Sequence, residues 1–227
     1  TARRHLSEQA DRIAAILGAY ALIAAPLGLG LAAVAEDAVA VLLGNQWTGA
    51  APLLRLIAPA SAIYAVYRVI ASSLQASGLA RQAALLSCGG AAAAAVTVGT
   101  AAMLSGSATV IAGAALGATA ALLLSSLAVL ARIARTGSFR LVAQVARPFA
   151  AAGVMLLLVS TVGAVSGAAI LDLVLKMTLG AVTYLGALFL LWLAAGRPPG
   201  AEGELAVLFG RVRDRCRRAE VPANRQA

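Results

Sequence analysis

Residues 52 to 78, PLLRLIAPASAIYAVYRVIASSLQASG, are apolar enough and long enough to cross a bilayer, which takes about 20 residues. Five further runs of this kind are read at about 13–35, 82–104, 108–131, 148–165 and 168–194. Lipid offers no hydrogen bonds to a backbone, so runs of this length must satisfy their amides internally, as helices. That constraint leaves one fold class. The chain is predicted to be an all-α integral membrane protein, a bundle of about six transmembrane helices over residues 1–200.

Composition agrees. Of 227 residues, 61% are hydrophobic and 12% charged, where a soluble domain carries about 25% charged residues. The mean hydropathy is +0.90. Basic residues outnumber acidic ones, 18 to 9. They fall between the apolar runs or in the tail, where topology and anionic lipid account for them, so nucleic acid is not an expected partner.

Between the runs lie short, informative pieces. Residues 1–12 are polar, with Arg3, Arg4 and Arg12. Pro26 breaks the first run, followed by Gly28 and Gly30; a kink is expected there, tolerated where neighbours satisfy the freed carbonyl. EDAVAVLLGNQW, residues 36–47, is too short to span. Glu36 and Asp37 suit a helix N-terminus and Trp47 an interfacial anchor, which predicts a short helix at the membrane surface. The third run, with Gly89, Gly90 and Ala91 to Ala95, is expected to pack tightly and not to form a binding surface. Gly113 and Gly117 in the fourth repeat that packing device. A loop is expected over 132–147, with Pro148 opening the fifth run.

The lead, the loop near Arg81, the loop at 132–147 and the C-terminal tail are all basic. The connections near 36–50, 105–107 and 166–167 hold no Lys or Arg. Positive charge marks the cytoplasmic side, so both termini of this chain are expected there. The segment 202–218, EGELAVLFGRVRDRCRR, is amphipathic: Leu205, Leu208, Phe209, Val212 and Cys216 share a face flanked by arginines. As a helix in the tail at 201–227 it would lie on an anionic inner leaflet or bind a partner.

Candidate functional residues stand out on the second run. At 100° per residue, Ser61, Tyr64, Arg68, Ser72 and Gln75 fall within roughly an 80° sector of one face. A helix surrounded by lipid has no use for such a stripe. An ionisable residue at membrane depth normally faces a bundle interior or a wet cavity. Arg68, roughly 15 Å from the end at Gly78, is read either as a cavity-lining phosphate ligand or as a structural, snorkelling arginine. Asp172 and Lys176, spaced i,i+4, are an internal ion pair or a weaker candidate for ion coupling. Arg55 is placed as interfacial or structural. Tyr20, Tyr184, Phe189 and Trp192 are taken as bilayer anchors or packing.

Catalysis is not expected. His5 stands alone, so no Ser/His/Asp set can form, and no phosphate-binding glycine loop follows a strand. Cys88 and Cys216 lie on segments of different kind without metal-like spacing, so no metal, disulfide or cofactor is expected.

The run from Pro26 to Ala83 carries a broken helix, a short surface helix, Leu43-Gly44-Asn45-Gln46-Trp47, Ala51-Pro52-Leu53-Leu54 and a long span ending Ala76-Ser77-Gly78. In these features it resembles the polysaccharide (O-antigen or exopolysaccharide) flippases of the multidrug/oligosaccharidyl-lipid/polysaccharide exporter superfamily. The resemblance covers about 58 residues; the later spans agree in number, spacing and basic loops. It implies two helix bundles around a central cationic cavity in the bacterial inner membrane. There a polyprenyl-diphosphate-linked oligosaccharide would be moved across for lipopolysaccharide or exopolysaccharide biosynthesis, with polysaccharide polymerase or synthase proteins as possible partners. Six spans, and Thr1 in place of Met, suggest the C-terminal part of a longer transporter. Two other classes remain open: a drug or cation antiporter of the same superfamily, with Asp172 as its acidic residue, and a non-transport membrane subunit of a polysaccharide synthesis complex.

Overall fold

The protein is described by a computed structural model covering residues 2–134, 138–163 and 169–194, with side chains described for 13–132, 142–163 and 169–193. Seven α-helices are present among the described residues: α1 Ala2–Ala33, α2 Ala35–Leu42, α3 Ala51–Ala76, α4 Ala80–Ser105, α5 Ala108–Ala134, α6 Ser138–Thr161 and α7 Ala169–Ala194. A 3-10 turn, Asn45–Ala50, leads into α3. No strand occurs among the described residues. All helices but α2 are long and apolar enough to cross a membrane. The chain is a multi-pass, all-α membrane protein.

Alanine- and leucine-rich sequence with few breaks accounts for the helices, and glycine accounts for the stops. Gly78 (φ +77°) ends α3 and Gly106 (φ +60°) turns α4 into α5, as expected at 105–107. Both sit in the left-handed region, which a side chain disfavours. Gly106 donates its N–H to the Ala102 carbonyl, closing the end of α4.

In the bundle, α7, α6, α1, α3, α5 and α4 succeed one another as packing neighbours. Helix α1 therefore belongs to two cores. Leu17 packs with Val66, Ile70 and Leu74 of α3 and with Leu127 of α5. Ala25 packs with Ala151, Ala152 and Met155 of α6 and with Tyr184 and Leu188 of α7. Lipid is as apolar as leucine, so contact between membrane helices depends on close fit, which small residues permit. Gly28 illustrates this: a Cβ there would lie 2.4 Å from Ala62 Cβ and 2.8 Å from the Ala58 carbonyl oxygen.

The first span, read at about 13–35, lies at Ile13–Ala33 within a helix that starts at Ala2. Other expectations are corrected. Pro148 lies inside α6 and does not open it. Proline favours the first turn of a soluble helix, but a membrane bundle accepts it mid-helix, and Pro148 is fully buried among neighbours. Arg140 and Arg147 are thus on a helix, not in a loop.

The tight packing expected of α4 is found at Gly90, where a Cβ would run into the Leu122 side chain of α5, but not along the alanine run. Ala91, Ala92, Ala93 and Ala95 are exposed, and Ala83 is the sole buried residue on that helix. It sits at the end of the row of helices and meets only α5 and α3, so its alanine face has no neighbour among the described residues. Gly113 and Gly117 likewise have nothing within contact of a would-be Cβ, so they pack against no helix described here. The expected surface helix is α2 plus the 3-10 turn, with Trp47 exposed and Ala35, Ala38 and Val39 buried. The amphipathic segment 202–218, the turn at 166–167 and Arg135 lie outside the described residues.

Candidate functional site

Helix α3 places a polar stripe on the outer side of the row. Ser61, Tyr64, Arg68, Ser72 and Gln75 are all exposed, while Val66, Val69 and Ile70 on the opposite side are buried against α1 and α5. The period-3.6 reading of this helix therefore holds for its two faces.

The upper part of the stripe opens into a groove of about 490 Å³ between α3, α4 and α5. Ser61, Tyr64 and Arg68 line it from α3. Ser72 and Gln75 do not line it; they continue the exposed face toward the end of α3. Gly90, Ala91 and Ala94 of α4 and Ala112, Ala115 and Ala118 of α5 form the facing walls, so the space exists because these helices carry small side chains.

Three polar lining residues carried no signal in the sequence: Tyr67, Ser87 and Thr119. Tyr67 and Ser87 are hydrogen-bonded through their hydroxyls at 2.8 Å, joining α3 to α4 across the groove floor. The Tyr64 and Tyr67 rings lie 5.6 Å apart and tilted by 40°, a stabilising aromatic geometry. Thr119 returns its hydroxyl to the carbonyls of Ala115 and Leu116. Ser61 and Ser72 do the same, donating to Ile57 O at 2.9 Å and Val69 O at 3.0 Å. Their donors are used locally, which leaves oxygen lone pairs toward the surface.

Arg68 is different. It makes no ion pair or hydrogen bond among the described residues. It stands eight residues, roughly 12 Å, from Ala76 at the end of α3. A guanidinium offers five donors in a planar fork suited to phosphate or carboxylate. The arrangement can hold an anion at Arg68, with aromatic and small apolar surface beside it.

The opposite end of the bundle, where α1 ends and α3 and α7 begin, gathers the described acidic residues with Arg55 and Lys176. Lys176 Nζ donates to Asp37 Oδ2 at 2.6 Å, their side chains only 13% and 21% exposed. The i,i+4 reading matched Lys176 with Asp172; Asp37, which reaches it from 139 residues away, carried no sequence signal beyond its place at a helix start. Asp172 is 4% exposed and lies one turn before Lys176 on α7. Arg55 pairs with Glu36 at 2.9 Å on a mostly exposed surface, in line with the structural role expected of it. Tyr184, read as an anchor or packing residue, is buried and donates its hydroxyl to the Leu22 carbonyl. No cluster of three His, Cys, Asp or Glu residues that could hold a metal occurs among the described residues.

No family model, curated protein or solved structure matches the chain.

Proposed function

We propose that this chain is part of a membrane transporter whose substrate is a lipid-linked oligosaccharide, its diphosphate bound by Arg68 in the α3–α4–α5 groove. The observation that carries this reading is the position of Arg68: at membrane depth, exposed, without a counter-charge among the described residues, and bordered by Ser61, Tyr64 and Tyr67. A charged side chain at such depth is costly unless an anion, water or a partner surface meets it. A diphosphate offers the paired acceptors that a guanidinium recognises, and tyrosine faces suit the adjoining sugar. The resemblance to polysaccharide flippases supports the same substrate class. In that orientation the end bearing Arg81 and Arg132 faces the cytoplasm, by the placement of positive charge.

Deleting the gene tests the reading. Sugar-lipid should accumulate on the cytoplasmic leaflet and surface polysaccharide should fall. Normal surface polysaccharide in the deletion strain would sink it.

A further inference from the structure

Two packing units meet in this bundle, α3–α4–α5 and α6–α7, with α1 between them. At the end bearing Arg81 and Arg132 they are joined: Val145 of α6 lies in one core with Leu127 and Leu130 of α5. Toward the other end α6 leaves that core, and its Met155 and Val159 pack with α1 and α7 instead. There α3 and α7 stand on either side of α1, and α2 packs against both.

Helix α2 is eight residues long and is set off by a bend on each side. Val34, between α1 and α2, has φ −102° and ψ 16°, outside helical values. Gly44, after α2, has φ +89°, where a side chain is disfavoured. Gly44 and the 3-10 turn lead directly into α3, so α2 is attached to that unit through the chain. To the other unit its polar attachment is through space: Lys176 Nζ of α7 donates to Asp37 Oδ2 at 2.6 Å. The apolar contact around it is small, Val34 and Ala38 with Leu173.

Beyond this pair α7 stands away from α1. A cavity of about 630 Å³ lies between α1, α6 and α7, where Gly30, Gly180 and Ala181 supply little bulk to fill it. The next polar tie is from Tyr184 to the Leu22 carbonyl, eight residues or roughly 12 Å further along α7. Between the two ties α7 is an arm fastened at both ends, with a void along one side. Atoms lining a void forfeit the attraction that close packing would give them, so the position of the arm depends on its end fastening.

We propose that α2 is an ionic clasp. The Asp37–Lys176 pair holds the α2 end of the α6–α7 unit to the α3 unit, and its release lets that end swing away about the Tyr184–Leu22 contact, widening the mouth of the cavity. Shielding makes the clasp effective: with side chains only 13% and 21% exposed, the pair is screened little by salt. The Glu36–Arg55 pair is exposed and lies between α2 and α3, so it fastens nothing across the two units. Asp172 does not substitute for Asp37, because it belongs to α7 and moves with Lys176.

The test is a distance measurement by pulsed electron spin resonance on the full-length chain in lipid nanodiscs, with Cys88 and Cys216 replaced by serine. Spin labels are carried by Val110→Cys on α5 and Ile170→Cys on α7, both exposed and both at the α2 end. A second pair, Leu85→Cys on α4 and Leu190→Cys on α7, is exposed toward the opposite end. Asp37→Ala should lengthen the 110–170 distance by roughly 5 Å, what a tilt of about 15° does to an arm of roughly 21 Å from Tyr184 to Ile170. The 85–190 distance, on an arm of roughly 9 Å, should change by at most about 2 Å. Arg55→Ala should move neither. Lys176→Met removes the same pair from the α7 side and serves if Asp37→Ala does not fold. An unchanged 110–170 distance in a folded variant without the pair would overturn the proposal and leave Asp37–Lys176 a static staple. Equal lengthening at both label pairs, or the same lengthening in Arg55→Ala, would overturn it as general loosening.

Discussion

Tyr184 donates its hydroxyl to the carbonyl of Leu22 at 2.8 Å, and that carbonyl is the one Pro26, four residues on, has no N–H to reach. A side chain of α7 thus supplies the hydrogen bond that the sequence of α1 removes. Tyr184→Phe should cost about 1 kcal/mol, in the range of membrane-embedded hydrogen bonds. In a Pro26→Ala background the Leu22 carbonyl regains its own partner, so the same substitution should cost less. Unfolding in detergent of both singles and the double reads the difference directly, and equal costs in the two backgrounds would contradict the account.

The approach of α1 to α3 makes Gly28 intolerant. Gly28→Ala places a Cβ against Ala62 and the Ala58 backbone and should destabilise by about 1–3 kcal/mol, as overpacking does. Gly89→Ala, where nothing lies within 4 Å, should be neutral or slightly stabilising, since alanine is the better helix former. Thermal melting of the two variants side by side separates fit from propensity.

The two ion pairs at the α2 end should differ in worth. Breaking the shielded pair with Lys176→Met leaves Asp37 without its counter-charge and should cost about 3–5 kcal/mol; Lys176→Met with Asp37→Leu should recover much of it. Arg55→Ala at the exposed Glu36 pair should cost about 1 kcal/mol or less. A double replacement no better than the Lys176 single would show that Asp37 is stable alone.

Buried Asp172 bears on the antiporter reading. If the protein moves cations, Asp172→Asn should abolish export. With a lipid-linked oligosaccharide as substrate, surface polysaccharide should persist in this variant provided the protein folds, so an export assay beside a folding control separates the two.

What sequence alone makes legible is what one helix carries by itself. The stripe on α3 is visible because 100° spacing sorts Ser61, Tyr64, Arg68, Ser72 and Gln75 onto one face, and the exposed face is that one. Relations between helices are not written in spacing. Tyr67 and Ser87, Lys176 and Asp37, and Tyr184 and Leu22 meet only because particular helices adjoin. The same blindness explains α4: its alanines are small enough for close packing, but its place at the end of the row leaves them uncovered. Pro148 misleads for another reason. The preference of proline for a first turn belongs to soluble helices, whereas buried neighbours tolerate the broken ladder within α6.

That Arg68 holds the substrate diphosphate is tested most directly by substitutions of Arg68 in the complete gene product. Surface polysaccharide and cytoplasmic sugar-lipid would be measured for Arg68→Ala and Arg68→Lys, with membrane protein levels matched. Arg68→Ala is expected to lower export at least tenfold with accumulation of the lipid-linked sugar, while Arg68→Lys, a point charge without the planar fork, retains part of it. Undiminished export by a stably expressed Arg68→Ala protein would contradict this role and leave Arg68 a structural residue.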